Sequence, residues 1–370
     1  MSDSGAGLST LAIALLLVTG RLEVWHIYLA TAFNSAFSAF QWPAYSAATT
    51  LLVPKAQLGR ASGMVQIGDA VSQLISPAIA GALLVNAGLE SIVIIDFATF
   101  LFAILTLVLV RVPMPKASEE GQAGKGSLLK EAFFGWKYIS ARAGLMGLLM
   151  VFAAGNFFHS LVNTLLMPLL LNMTTADVLG YLVSFVGLGA LAGTLVMSAW
   201  GGPKRRVHGV IGLMALEGIF IVVIGLWTYL PLITAAGFCL VFLSPIVNGC
   251  SQAIWQSKVA PDVQGRVFSV RRMIAWSTMP LAYILAGPLN DKVFEPLMAV
   301  GGPLAGSIGR FMGVGPGRGT GLLFAIDGIL ITVLVLAIGY LNPRVRRLEE
   351  EIPDAVADNP PAVEAPAVAS

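Results

Sequence analysis

The sequence predicts an all-α membrane protein that crosses the bilayer many times, and three observations carry that prediction. Hydrophobic residues make up 56% of the 370-residue chain, charged residues only 11%, and the mean hydropathy is +0.82. Water-soluble domains carry about 25% charged side chains, so this chain has less than half the charge that a soluble surface needs. The apolar residues are gathered in runs of about 20, the length of helix that spans hydrocarbon. Strand alternation is absent from these runs, which leaves helices to satisfy the backbone in lipid. Soluble enzymes and disordered proteins are excluded.

Ten spans follow in order. The first, 5–20, has no Lys or Arg before it and so lacks the basic start of a cleaved signal; it reads as a membrane helix. Next come 26–51, 61–86 and 91–110. Residues 112–143 join the polar stretch Ser118 to Gly126 to the amphipathic segment Ser127 to Ser140 and read as a linker. Six further spans occupy 144–171, 178–199, 209–228, 232–256, 268–288 and 320–341. Asn290 to Thr320 holds Gly301-Gly302-Pro303 and Gly313 to Gly319, which disfavour a helix. After Pro343, Pro360, Pro361 and Pro366 lie among acids and alanines and predict disorder. The expected organisation is an incomplete four-helix bundle over 1–111, a cytoplasmic linker with an amphipathic helix over 112–143, a six-helix bundle over 144–342 and a disordered cytoplasmic tail over 343–370.

Sorting the loops into two faces puts eighteen of the 22 Lys and Arg on one of them. By the positive-inside rule that face is cytoplasmic, and both termini are expected there, in a multi-pass protein of the plasma (inner) membrane. The net charge of +2 gives no reason to expect a nucleic-acid partner. Cys239 and Cys250 read as small core residues, and no metal or other cofactor is expected. No catalytic constellation stands out either, so the chain is not read as an enzyme. The expected partners are a small-molecule substrate, protons and the bilayer, with the chain a monomer.

Val53-Pro54-Lys55-Ala56-Gln57-Leu58-Gly59-Arg60 recurs in outline as Ala260-Pro261-Asp262-Val263-Gln264-Gly265-Arg266, 207 positions later from Pro54 to Pro261. Each copy closes one span and opens the next, which is the pattern of transporters built from two similar halves. The same offset carries Gly201-Gly202-Pro203-Lys204-Arg205-Arg206 to positions before Met1. Two helices of an expected twelve are therefore expected to be missing ahead of this start, whether by truncation, by a mis-assigned start or by loss.

Polar side chains at helical spacing inside spans mark a pathway, because a polar group in hydrocarbon is costly unless it faces protein or water. Four stripes occur: Asn34, Ser38, Gln41 and Tyr45; Gln66, Asp69, Gln73 and Ser76; Asn156, His159 and Asn163; and Ser244, Asn248 and Gln252. The substrate cavity is expected from Gln41, Trp42, Tyr45, Asn156, His159, Asn163, Asn248 and Gln252. Interhelical hydrogen bonding is the alternative for any single amide. Of four carboxylates in spans, Asp69 and Glu217 lie deepest and are the candidate proton carriers, while Asp96 and Asp327 suit capping or interhelical hydrogen bonds. The basic clusters Lys204, Arg205, Arg206 and Arg266, Arg271, Arg272 orient the chain, and Lys204, Arg205, Arg206 and Arg266 are the candidate cytoplasmic gate.

Several segments resemble the major facilitator superfamily, and within it the third drug:proton antiporter group, which includes macrolide-efflux and enterobactin-export proteins. These are Gln41-Trp42-Pro43-Ala44 with Leu52-Val53-Pro54, Asp96 to Phe100, Gly265-Arg266-Val267-Phe268, and Ala286-Gly287-Pro288-Leu289 with Asp291. Ser76 to Gly81 is similar to the antiporter motif Gly-Pro-x-x-Gly-Gly, with Ser for its first Gly and Ala80 for the next-to-last. Gly201 to Arg206 is similar to the second cytoplasmic loop motif without its Asp. The resemblance implies a major-facilitator-type bundle of ten helices (four and six) from an expected twelve. It also implies proton-coupled efflux, by alternating access, of an amphipathic organic molecule such as a drug, macrolide or siderophore-like compound. The missing helices keep a second class open, a non-transporting membrane protein: a sensor, an assembly partner or an inactive truncated transporter.

Overall fold

Without water to bond to, backbone amides in an apolar run must pair within their own segment, and the long apolar runs fold accordingly. A computed structural model of the chain describes residues 11–13, 15–16, 19–109 and 126–356, and its regular elements are all helical. The span expected at 5–20 lies mostly outside the described residues. Among the described residues the long helices of the first half are α1 (Val24–Leu52) and α2 (Leu58–Leu109). The two spans expected at 61–86 and 91–110 are one run, α2, broken at Gly88 with φ 73° and ψ 172°. A residue with a Cβ rarely takes that conformation, so one glycine does the work of a loop.

After α3 (Leu128–Ser140) come α4 (Ala143–Leu171), α5 (Ala176–Trp200), α6 (Arg206–Leu226), α7 (Leu230–Lys258), α8 (Gln264–Leu289) and α9 (Arg318–Leu336). Among the described residues five helices are long and apolar enough to cross a membrane: Ala143–Leu171, Val178–Trp200, Arg206–Leu226, Leu230–Lys258 and Arg318–Leu341. The repeat is visible in the register. α1 ends at Leu52 and α2 opens at Leu58; 206 positions on, α7 ends at Lys258 and α8 opens at Gln264.

Lipid tails are as apolar as leucine, so close packing holds these helices together. On α5, Gly189 and Gly193 lie against the backbone of Phe238 and Phe242 in α7, where any Cβ would strike a carbonyl oxygen. α6 and α9 meet in the same way, backbone to backbone. The linker helix α3 is capped by the Ser127 side chain, which accepts from Lys130 N. It buries Tyr138 and Ile139 and leaves Leu129, Phe133 and Trp136 exposed.

Two segments are more ordered than their composition predicts. Between α8 and α9 the chain makes a wide turn, Asn290–Phe294, and two single helical turns, Glu295–Met298 and Gly309–Met312. The Glu295 carboxylate accepts from Thr320 N (2.9 Å) and Gly317 N (3.3 Å). It thus satisfies free donors at the start of α9, where the helix dipole favours negative charge. The disorder expected from Pro343 onward does not hold for residues 343–356, which form the turns Pro343–Arg346 and Leu348–Glu351. Val345 and Leu348 are 0% exposed there, so two apolar anchors outweigh the prolines and acids around them. Residues 357–370 lie outside the described residues.

Candidate functional site

Where α1, α2, α4, α7 and α8 converge, they enclose a cavity of about 450 Å³. α1 contributes Trp42, Tyr45, Ser46 and Thr49, which recur at i, i+3, i+4 and i+7 and so share one helix face. α2 adds Ser62, Val65, Gln66 and Asp69 with the same spacing. The opposite wall holds Phe152 and Asn156 from α4, Asn248, Gln252 and Gln256 from α7, and Arg271, Arg272, Ala275 and Trp276 from α8. The wall is held by side chain to backbone bonds: Asn156 Nδ2 donates to Ala275 O (2.8 Å) and Asn248 Nδ2 to Ser244 O (2.9 Å). Arg271 donates from Nη1 to Gln252 Oε1 (2.9 Å) and from Nη2 to Ser251 Oγ (3.1 Å), fixing the amide that faces the cavity.

The two halves meet beside this cavity. Gln252 donates to Ser46 Oγ, Gln256 Nε2 donates to Ser46 O (3.0 Å), and Gln66 Nε2 reaches Pro245 O (3.1 Å). Nearer the loops the backbones touch: Gly59 packs on the Gly201 carbonyl, and a Cβ on Gly63 would lie 2.5 Å from Ser198 N.

Of the eight residues expected at the cavity, Trp42, Tyr45, Asn156, Asn248 and Gln252 line it. Gln41 is exposed on another face of α1, one position out of phase with the lining set. The side chains of Asn34, Ser38 and Gln73 lie outside the described residues. Asn163 is exposed two turns beyond Asn156. His159 turns away from the cavity, with its Nε2 3.5 Å from Glu217 Oε2 and its Nδ1 2.9 Å from Gly155 O. A ring nitrogen facing a carbonyl carries hydrogen, so Nδ1 is the donor to Gly155 O and Nε2 is the nitrogen that faces the carboxylate. Glu217 is 2% exposed, and its other oxygen has no partner among the described residues. Asp327, expected to cap or to bond between helices, is 3% exposed, with Oδ2 unpartnered among the described residues.

Breaking one side of the His159–Glu217 pair leaves a buried group without its partner. His159→Leu is therefore expected to cost about 3 kcal/mol, and adding Glu217→Gln to recover most of that. Thermal melting of the four proteins of this cycle in detergent gives the coupling, and strictly additive shifts would exclude one.

Sequence reasoning missed Ser46, Gln256, Arg271, Arg272 and Trp276 as lining residues. The available signal was Arg271-Arg272 inside an apolar span with Trp276 one turn on. It also missed a strap. Lys258, 4% exposed, donates from Nζ to Glu349 O (2.7 Å) and Ile352 O (2.5 Å) and pairs with Asp354 Oδ1 (3.2 Å). The other oxygen of Asp354 pairs with Lys55 Nζ of the first half (2.5 Å). The Glu349 carboxylate accepts from the N–H groups of Arg206 (3.2 Å) and Val207 (3.1 Å) at the start of α6. Of the expected gate residues, Arg205 lies 3.5 Å from Glu350, Arg266 lies 3.9 Å from Glu131, and Lys204 is exposed.

Burial pushes the Asp354 carboxyl up, but hydrogen bonds and charge from Lys55 and Lys258 outweigh it and hold the group below its ordinary value. A depressed folded pKa stabilises the folded state above the ordinary carboxylate value, and that stabilisation is lost as pH falls through the depressed one. The strap is therefore expected to resist limited proteolysis evenly from neutral pH down to mildly acid pH, and Asp354→Asn to be cut faster throughout.

A family model for the Major Facilitator Superfamily matches residues 4–283. The chain belongs to that superfamily. This member is 29% identical over 279 residues to Macrolide efflux protein A of Streptococcus pyogenes, covering 74% of the chain and 68% of the relative. It is 30% identical over 273 residues to the Enterococcus faecalis protein of the same name, covering 70% and 81%. Multidrug efflux pump Tap of Mycolicibacterium fortuitum is 25% identical over 311 residues, covering 79% and 72%. In fold it is similar to the crystal structure of the human organic anion transporter MFSD10 (TETRAN), with a TM-score of 0.57 at 15% identity, covering 90% of this chain and 75% of that one. The superfamily expected from Gln41-Trp42-Pro43-Ala44 and its companion motifs is the one that matches.

Proposed function

We propose that the chain exports an amphipathic organic molecule in exchange for protons, by alternating access about the cavity between its halves. The cavity carries the proposal: two tryptophans, a tyrosine, a phenylalanine and five carboxamides surround one exposed carboxylate, Asp69. Apolar rings with a few placed polar groups suit a mixed organic molecule better than a bare ion. The relatives named for macrolide and multidrug efflux support the same direction of transport. Asp69, on the cavity wall, is the first proton carrier in this reading, and Glu217 with His159 a second one inside the C-terminal bundle.

In this reading the chain comprises an N-terminal bundle over 1–111, a linker over 112–143 and a C-terminal bundle over 144–342, with ten spans in the plasma membrane. The face bearing Lys204, Arg205, Arg206 and Arg266 is cytoplasmic, and the strap closes the gate there by joining Lys55 to Lys258 through Asp354. Proteoliposomes test the whole: a pH gradient is expected to drive accumulation of an amphipathic compound, and absence of flux for every member of a broad panel would overturn the exporter reading.

A further inference from the structure

Arg272 stands nine residues into α8, well inside the bundle, and lines the cavity. Its guanidinium carbon is 4.1 Å from the ring centroid of Trp276 and 5.4 Å from that of Trp42, one ring from each half. Among the described residues it has no ion pair and no hydrogen bond. Arg271 differs, because its donors are engaged by Gln252 and Ser251 and it lies 4.9 Å from Trp255. A cation within a membrane protein is costly unless something answers its charge. Two aromatic faces supply part of the answer. Rings do not use the N–H groups of the guanidinium as a hydrogen-bond acceptor would, and its N–H fork matches a carboxylate through two parallel bonds. The remaining charged group on the wall, Asp69, lies beyond ion-pair distance on α2.

We propose that Arg272 selects the substrate: the cavity takes an organic anion whose carboxylate meets the Arg272 fork while a flat apolar body rests among Tyr45, Phe152 and Trp276. This rests on the reading of the cavity as the substrate site and names the class that it takes. Both halves contribute to the recognition, since Trp42 of the first half and Trp276 of the second both lie against the cation.

The test uses the full chain in nanodiscs of phosphatidylcholine, which keeps anionic headgroups out of the measurement, and two probes that share a ring system and differ in charge. Naphthoate is expected to bind more tightly than naphthylmethylamine by calorimetry. Arg272→Gln is expected to weaken naphthoate about tenfold or more, the worth of a charged hydrogen bond, and to leave the amine no weaker. Arg272→Lys keeps the charge without the fork and is expected to lose part of that affinity, while Asp69→Asn, which removes a like charge, strengthens naphthoate. The proposal is overturned if the amine binds as tightly as naphthoate, if Arg272→Gln leaves naphthoate affinity unchanged, or if neither probe binds. Efflux of a cationic amphipath with naphthoate unbound would overturn this inference alone; flux of nothing would overturn the exporter reading beneath it.

Discussion

In reconstituted vesicles, Asp69→Asn is expected to move substrate downhill at a normal rate and to accumulate none of it against a pH gradient. One-for-one exchange across one pH unit supports a concentration ratio of about ten, equivalent to about 1.4 kcal/mol. An amide in place of the carboxylate keeps the size and polarity of the wall but carries no exchangeable charge, so the ratio falls to one. Asp69 is the carboxylate among the cavity-lining residues, whereas Glu217 is buried off the cavity beside His159. The pair Asp69→Asn and Glu217→Gln therefore separates two designs. Accumulation that survives in the first and disappears in the second would move the coupling site into the C-terminal bundle.

A second large effect is expected from a wedge. Gly63 faces the backbone of Met197 and Ser198 so closely that an added Cβ would lie 2.9 Å from the Met197 carbonyl carbon and 2.5 Å from the Ser198 nitrogen. Backbone cannot give way as a side-chain end does, and overpacking of this kind costs about 1–3 kcal/mol. The cost falls only on conformations in which α2 touches α5, so Gly63→Leu shifts the population toward opening at that end by about five- to 150-fold. With Cys239 and Cys250 replaced, a cysteine at Ser46, a position now 4% exposed between the halves, should react much faster with a membrane-impermeant maleimide. Transport should stop while the melting temperature changes little. Unchanged labelling would mean that the contact between Gly63 and Ser198 does not control access.

The helices were legible because an apolar run in lipid has one way to satisfy its backbone, and observed ends such as Ala143–Leu171 lie within a residue or two of the expected ones. The cavity was legible where hydrophobicity made polar groups conspicuous, as with Asn156, Asn248 and Gln252. On α1 it was legible in part: Trp42 and Tyr45 line the wall as expected, whereas Gln41 lies on another face and Ser46 and Thr49 share the wall in its place, because a hydroxyl lines a binding site as readily as an amide. Arg271 and Arg272 read as markers of orientation, since a count of basic residues has no depth; only the fold shows their contacts with Gln252 and three tryptophans. The strap was illegible for another reason. Prolines and acids after Pro343 predict disorder, and nothing local announces that Val345 and Leu348 find pockets or that Lys258 waits for two carbonyls.

The seam between Ser46 and Gln252 has a mechanical consequence. Ser46 lies near one end of α1, with six residues beyond it and 22 before it back to Val24. At ~1.5 Å per residue those arms are ~9 Å and ~33 Å long. If α1 tilts by about 15° about this seam, the short arm moves ~2 Å and the long arm ~9 Å. α1 is thus a lever of unequal arms: a side-chain-sized slip at the end carrying the strap becomes a substrate-sized displacement at the other.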